Sequence, residues 1–118
     1  MPANDLNRNL AVFITRDGMG SADAELQHKL IAKWLQLIAE YDPLPGAMCF
    51  YTDGVKLAVE GSPVLAELRA LEERGVHLIL CKTCLDYFGL TEKVRVGVVG
   101  GMGDIIAAQW SASKAITL

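Results

Sequence analysis

The stretch SPVLAELRALEERGVHLILCKTCLDYFG, residues 62–89, decides the fold class because it joins a helix, a strand and a second helix without a break. The first helix is predicted to begin at Ser62, which can cap it, and Pro63, whose fixed φ suits the first helical position. Its buried stripe consists of Leu65, Leu68 and Leu71. Gly75 is expected to end the helix because glycine readily adopts the left-handed conformation needed there.

An apolar strand is predicted next, at residues 76–80, with Cys81 at its carboxyl end. Thr83 is expected to cap a short helix that runs through Phe88 and closes at Gly89. A strand enclosed by two helices is typical of a parallel α/β protein, because parallel neighbours need a crossover connection.

The same alternation extends over the rest of the chain. Further strands are predicted at 10–15, 47–52, 94–99 and 114–118. Helices are predicted from Ser21 to about Tyr41, where apolar residues recur every three or four positions, and at 104–110. Residues 55–61 favour a helical turn over an edge strand, and residues 1–9 are expected to form a flexible N-terminus. The pattern predicts a mostly parallel five-stranded sheet covered on both faces by helices.

Length, composition and charge restrict the function. The 118 residues suit one domain spanning 1–118, with 52% hydrophobic residues and a formal charge of −3. There is no basic run, so no nucleic-acid partner is expected, and no apolar stretch long enough to suggest membrane insertion. The polar N-terminus lacks a signal-peptide core, which favours a cytoplasmic location. Three cysteines in such a chain indicate reduced thiols.

Four loops should share one rim, because ligands of open α/β sheets bind beyond the carboxyl ends of the strands. They are RDGMGS (16–21), TDGV (52–55), CKTC (81–84) and GGMG (100–103). Glycine permits close backbone approach, and the helices behind the loops present free amides. The residues predicted to bind an anion or thiolate are Gly18, Met19, Gly20, Gly54, Lys82, Gly101 and Met102.

The candidate catalytic residues are Cys81 and Cys84. Both are expected near a helix N-terminus, where the dipole lowers the pKa of a thiol, and Lys82 adds a cation. Cys81 would attack sulfur as a thiolate, and Cys84 would resolve the product. The alternative is that both are small buried residues at a strand–helix junction. Cys49, within a predicted strand, is expected to be an inert core residue.

Other chemistries fit less well. One CxxC pair with His28 and His77 falls short of a four-ligand zinc site, so no metal is expected. Every proline precedes the CxxC motif, which disfavours a thioredoxin-like site with a facing cis-proline. The loop at 16–21 lacks the Gly-Lys-Ser/Thr ending of a phosphate-binding loop. No organic cofactor is expected, and nothing in the sequence supports a flavodoxin-type flavin site.

The order of elements, with a cysteine closing the third strand and a glycine eight residues later, resembles the DsrE/DsrF-like family. The segments at 13–35, 49–90 and 96–105 resemble the C-terminal domain of YedF-type sulfurtransferase-like proteins of selenium metabolism. The resemblance implies a three-layer α/β/α fold, homo- or hetero-oligomers, and a persulfide on Cys81. It also implies sulfur donor or acceptor proteins, including TusA-like ones, because the N-terminal TusA-like domain of YedF-type proteins has no counterpart in this sequence.

The leading hypothesis is therefore a sulfur-relay protein that carries a persulfide on its CxxC motif. Two other hypotheses stay open: a non-catalytic oligomeric binding or assembly module, and a dithiol redox switch that cycles between Cys81 and Cys84.

Overall fold

The computed structural model describes residues 6–118, which form a five-stranded sheet with helices on both faces. The strands are β1 (Leu6–Ile14), β2 (Leu44–Phe50), β3 (His77–Cys81), β4 (Val98–Gly100) and β5 (Lys114–Thr117). The α-helices are α1 (Ala24–Ile38), α2 (Leu65–Glu73), α3 (Lys82–Phe88) and α4 (Met102–Ser111). Two short 3₁₀ helices span Thr52–Ala58 and Thr91–Lys93.

All neighbouring strands are parallel, in the order β4-β3-β2-β1-β5. The chain steps from β1 to β4 in one direction and then returns to place β5 beside β1. Right-handed crossovers put α1, α2 and α3 on one face, and the return connection puts α4 on the other. Consistent with this, α4 packs across β1, β2 and β3. The predicted α/β class with a parallel five-stranded sheet is confirmed.

The core lies on both sides of the three central strands. Fully buried side chains include Val12 and Ile14 of β1, Met48 and Phe50 of β2, and Leu80 of β3. Such apolar runs, without the polar alternation of a half-exposed strand, are what a parallel sheet covered on two faces requires.

Several predicted boundaries are wrong. Helix α2 begins at Leu65 with Val64 as its N-cap, not at Ser62, because the chain first makes a turn in which the Val64 amide donates a hydrogen bond to the Ser62 hydroxyl at 3.1 Å. Strand β2 covers Leu44–Phe50 instead of 47–52. Strand β1 begins at Leu6, four residues before the predicted start, and Leu6 and Asn7 pair with Leu44 and Pro45 of β2 within the segment predicted to be flexible; residues 1–5 lie outside the described part of the chain. Helix α1 begins after Asp23, not at Ser21, because the loop first folds back on Gln27. Strand β4, predicted at 94–99, covers only Val98–Gly100.

The local reason for the short β4 is Gly97. Its φ of +83° breaks the extended conformation, and its amide donates a hydrogen bond to the Glu72 carboxylate at 3.0 Å. Upstream of it, Val94 forms an isolated antiparallel bridge with Val59. The helical turn predicted within residues 55–61 is confirmed in part by the 3₁₀ helix Thr52–Ala58.

Candidate functional site

The two cysteines of the CxxC motif meet at the carboxyl end of β3. Cys81 is the last residue of the strand and the N-cap of α3, so the predicted cap at Thr83 is wrong and the helix begins at Lys82. Cys84 stands three residues later, in the first turn of α3. Residues three apart at a helix start lie on one side, and the Cys84 thiol donates a hydrogen bond to the Cys81 sulfur at 3.1 Å.

A third group completes the site from the neighbouring strand. The backbone amide of Thr52, directly after β2, donates to the Cys84 sulfur at 3.1 Å. Thr52 has a φ of +49°, a conformation that β-branched residues rarely adopt. Its hydroxyl lies 2.7 Å from the Thr15 carbonyl oxygen and 2.6 Å from that of Tyr51, and these contacts hold the unusual turn in place. The residues that follow β2 and end β3 therefore contact the Cys84 sulfur directly, and the residue that follows β1 supports them through the Thr52 hydroxyl.

The charge state of Cys84 follows from these contacts. Burial raises the pKa of the Cys84 thiol, the hydrogen bond to Cys81 raises it further, and the Thr52 amide opposes both by stabilising the thiolate. A raised pKa keeps the proton on Cys84, in agreement with its role as the donor. The prediction that the helix dipole lowers the pKa of Cys84 is therefore wrong: α3 is short, and burial outweighs it.

Access differs between the two sulfurs. Cys81 is 2% exposed, whereas Cys84 is partly exposed. A donor that approaches from solvent therefore meets Cys84 first, with Cys81 directly behind it. The Lys82 ammonium, the predicted cation of the site, pairs with Asp86 at 2.7 Å, one helical turn along α3, instead of with a cysteine sulfur.

Cys49 is confirmed as a core residue. It is fully buried, one residue before the end of β2, and pairs with Phe13 of β1 on one side and Ile79 of β3 on the other. Burial raises the pKa of its thiol from 9.0 to about 11. Such a thiol holds almost no thiolate at neutral pH and is unreactive.

The loop that holds Gly18, Met19 and Gly20 packs against α1. A side chain at Gly18, whose φ is +136°, would lie 2.5 Å from the Gln27 Cβ. The Met19 amide donates to the Gln27 carbonyl oxygen at 3.1 Å. Gly20 has open space around it and a φ of +76°. The first two residues thus fasten the loop to the helix, and their role in anion binding stays a prediction.

Gly54 holds the 3₁₀ helix against the end of β1. A Cβ at this buried position would lie 2.0 Å from the Ile14 carbonyl oxygen, far inside van der Waals contact. Only glycine permits this approach. Because Thr52 lies two residues earlier, Gly54 fixes the position of the amide that bonds Cys84.

The last glycine loop starts α4 beside β3. Gly100 pairs with Cys81 in the sheet. The Gly101 amide donates to the Asp104 carboxylate at 2.9 Å, so this free amide of the helix start is already bonded within the helix. Met102 is exposed. The loop lies on the predicted rim, and ligand binding by Gly101 and Met102 stays a prediction.

The two histidines lie in different parts of the fold. His28 lies 3.2 Å from the Asp17 carboxylate, and His77 is exposed at the start of β3, the opposite end from Cys81. Among residues 6–118, His, Cys, Asp and Glu side chains form no group of three or more that could hold a metal ion. Within the same range, no helix is both long and apolar enough to cross a bilayer.

Sequence reasoning missed Thr52. Nothing in the segment YTDG signals a positive φ at a threonine, because the propensity of β-branched residues points to extended backbone. The Asp-Gly pair that follows marks a turn, but a turn alone does not say which amide points at a sulfur.

The fold and the site together define a class: parallel α/β proteins with a thiol pair at the carboxyl edge of the central sheet. The DsrE/DsrF-like family model matches residues 3–118, and the chain belongs to this family. A search of curated proteins finds no match.

Solved structures share the fold. The ychN protein of E. coli superimposes with a TM-score of 0.66 at 21% identity, covering 93% of this chain and 98% of that one. MTH1491 of Methanobacterium thermoautotrophicum, a protein of unknown function, gives 0.68 at 19% identity over 98% and 100%. BT1422 of Bacteroides thetaiotaomicron, also of unknown function, gives 0.65 at 13% identity over 93% and 95%. At these identities the similarity concerns the fold.

Proposed function

We propose that this protein is a sulfur-transfer protein that carries a sulfane sulfur as a persulfide on the Cys81–Cys84 pair. The observation that supports it best is the 3.1 Å separation of the two sulfurs, with the Thr52 amide on the outer one. An amide aimed at sulfur stabilises negative charge there, and both a thiolate and a persulfide are anions at neutral pH.

The two cysteines have different roles in this proposal. The sequence predicted Cys81 as the attacking sulfur, but Cys84 is the exposed one, so we assign the first step to Cys84. Its thiolate attacks the outer sulfur of a hydropersulfide, R–S–SH. The S–S bond of the donor breaks, a new S–S bond forms to Cys84, and the proton leaves with the donor thiol, R–SH. The sulfane sulfur changes partner without net oxidation.

Release can follow two routes. An acceptor thiolate can attack the outer sulfur of the persulfide and regenerate Cys84. Alternatively, Cys81 can attack the Cys84 sulfur, which forms a Cys81–Cys84 disulfide and expels hydrosulfide. The second route needs an external dithiol to reduce the disulfide before another cycle. The short sulfur–sulfur distance favours the second route whenever no acceptor is bound.

Partners follow from the same proposal. The donor or acceptor is a protein or small molecule bearing a reactive thiol, and the resemblance to YedF-type domains points to TusA-like proteins. We also propose a homo-oligomer, because Met102, Ile106 and Trp110 form an exposed apolar stripe at four-residue spacing on α4. A second copy would cover this stripe, and sedimentation analysis of the wild type and of Trp110→Glu tests it: loss of the oligomer in the variant is expected.

Intact-mass analysis tests the transfer itself. After incubation with a persulfide donor, the wild type is expected to gain the mass of one sulfur atom, located on Cys84 by peptide mapping. Cys84→Ser should abolish the gain, Cys81→Ser should retain it and lengthen its lifetime, and Cys49→Ala serves as the control with unchanged uptake. Because the pKa of Cys84 is raised, uptake should accelerate from pH 7 toward alkaline pH. No gain on either CxxC cysteine from any persulfide donor would refute the proposal.

A dithiol switch is the second candidate function, and the same pair of sulfurs favours it. A switch would form the disulfide reversibly with oxidants but would not retain sulfane sulfur in Cys81→Ser. The mass experiment with that variant therefore separates the two functions.

A further inference from the structure

A cleft of about 440 Å³ opens on the same edge of the sheet as Cys84, between α1, the 3₁₀ helix Thr52–Ala58 and α3. Its lining includes Asp17, His28, Lys56, Glu60 and Phe88. This volume lies within the range of pockets that hold small organic molecules. The proposed reaction uses none of these residues, so the cleft needs its own explanation.

The cleft begins about one helical turn from the reactive sulfur. Phe88 follows Cys84 by four residues on α3, and residues at this spacing lie roughly 6 Å apart on one helix face. Lys56 follows Thr52 by four residues on the facing 3₁₀ helix, and its ammonium lies 4.4 Å from the centre of the Phe88 ring. The two walls that hold the sulfur thus continue as two walls of the cleft.

The lining of the cleft combines apolar side chains with charged groups of both signs. Val59 and Leu90 contribute apolar surface beside Phe88. On the rim, the Lys56 ammonium pairs with Asp53 at 2.9 Å, which occupies one of its three donor positions. This leaves donor capacity for a ligand carboxylate.

Two carboxylates, those of Asp17 and Glu60, also line the cleft. Asp17 contacts His28 through one oxygen, Oδ1, and Glu60 pairs with Arg95 at 3.1 Å and Lys93 at 3.6 Å. Arg95 and Lys93 hold the pKa of Glu60 below its ordinary value, so this rim group is an anion at neutral pH. Because Arg95 and Lys93 already neutralise Glu60, Asp17 is the carboxylate that remains for a ligand ammonium, and Lys56 matches a ligand carboxylate.

We propose that this cleft binds a small zwitterionic thiol in its persulfide form and delivers the outer sulfur to Cys84. This inference rests on the proposed sulfur-transfer function and names its substrate class. Thiosulfate, a dianion, has no ammonium group to pair with Asp17 and no apolar body to contact Val59 and Leu90. The reaction is the one written above: the Cys84 thiolate takes the outer sulfur, and the small thiol leaves with the proton.

Glutathione persulfide is the probe, and inorganic polysulfide is the reference donor, because only the former carries a zwitterionic γ-glutamyl end, together with a second carboxylate on its glycine. Sulfur uptake by Cys84 is expected to saturate with glutathione persulfide. Lys56→Gln should raise the half-saturating concentration about fivefold, equivalent to about 1 kcal/mol, with little change in maximal rate. The same variant should leave uptake from polysulfide unchanged. Lys33→Gln, an exposed lysine elsewhere on α1, is the matched control and should behave as wild type.

Binding is measured separately with S-methylglutathione, which carries no transferable sulfur. It should shift the NMR signals of His28 and of residues 59–61 in the wild type, and more weakly in Lys56→Gln. If the wild type and Lys56→Gln took up sulfur from glutathione persulfide with equal kinetics, and S-methylglutathione shifted no NMR signals, the inference would be overturned while the transfer function stayed intact. Shifted signals without any sulfur gain from either donor would refute the transfer function and still support a zwitterion site.

Discussion

Cys49 lies within strand β2 and Cys84 in the first turn of helix α3, and these different surroundings give the two thiols different reactivity. Burial is the cause that acts on Cys49, and it raises the pKa of its thiol to about 11. Burial also raises the pKa of Cys84, but there a neighbouring sulfur and a backbone amide act on it in opposite directions. A thiol buried within a strand has no polar group beside it, so burial sets its pKa. A thiol just beyond the strand end meets the amides of the next loop, so its proton affinity depends on a few contacts.

The largest effect is expected from displacing the 3₁₀ helix Thr52–Ala58, which follows the strand of Cys49 and supplies the amide that bonds Cys84. Gly54→Ala places a Cβ against the Ile14 backbone at 2.0 Å, and neither chain segment can yield easily. The free energy of unfolding should fall by about 3 kcal/mol. Urea unfolding measures it. Gly103→Ala, in the first turn of α4 with open space around the added methyl group, is the control and should not lower the value, because alanine has the higher helix propensity. Equal stabilities for the two variants would contradict the close packing of Gly54.

The next effect concerns Cys49 and alkaline pH. Because its folded-state pKa is raised from 9.0 to about 11, its contribution to stability is complete below pH 9 and is lost as pH rises toward 11. The loss approaches roughly 2–3 kcal/mol at 1.36 kcal/mol per pKa unit. Unfolding curves of the wild type and Cys49→Ala between pH 8 and pH 11 test this. The difference between the two proteins should shrink or reverse with pH, and a constant difference would contradict the burial of an unpartnered thiol.

A smaller effect is expected at the reactive pair. Cys81→Ala removes the hydrogen bond and the charge that raise the pKa of Cys84, so the Cys84 thiolate fraction at pH 7 should increase. Alkylation of Cys84 by iodoacetamide should become several-fold faster, as thiolate is the reacting form. Peptide mapping gives the rate at each cysteine. Cys49→Ala should leave the Cys84 rate unchanged, and a slower rate in Cys81→Ala would contradict the assigned hydrogen bond.

The smallest effect is expected at Thr52. Thr52→Val retains the shape of the side chain but loses the hydroxyl contacts to the Thr15 and Tyr51 carbonyl groups, so the amide on Cys84 becomes less firmly placed. Since this amide lowers the pKa of Cys84, alkylation should slow, by about twofold at most. Thr91→Val, which loses a hydroxyl contact to Asp86 away from the sulfurs, is the control. Faster alkylation in Thr52→Val would mean that the amide does not stabilise the thiolate.

Much of the fold could be predicted because local patterns agree with it. The leucine stripe of α2, the apolar strand before Cys81 and the glycines at 75 and 89 mark their elements through spacing and backbone preference alone. The short β4 could not be predicted, because it depends on a hydrogen bond from Gly97 to a distant glutamate.

The candidate site was predictable in position but not in detail. A parallel sheet brings its strand ends together, so the CxxC motif and the TDGV loop could be placed on one edge from the sequence. The burial of Cys81, the proton on Cys84 and the turn at Thr52 depend on contacts between three separate segments. Spacing along the chain carries no information about such contacts.

The placement of β5 beside β1 has a consequence for synthesis on the ribosome. Phe13 of β1 pairs with Thr117 of β5, so one edge of β1 stays open until residues 114–117 have emerged. The growing polypeptide can assemble β1 to β4 in order, but it must shield an unsatisfied strand edge in the meantime. Stalling before β5 would leave a partly built sheet with an unpaired strand edge that is prone to aggregation. In this state nascent chains of this protein would most need a chaperone.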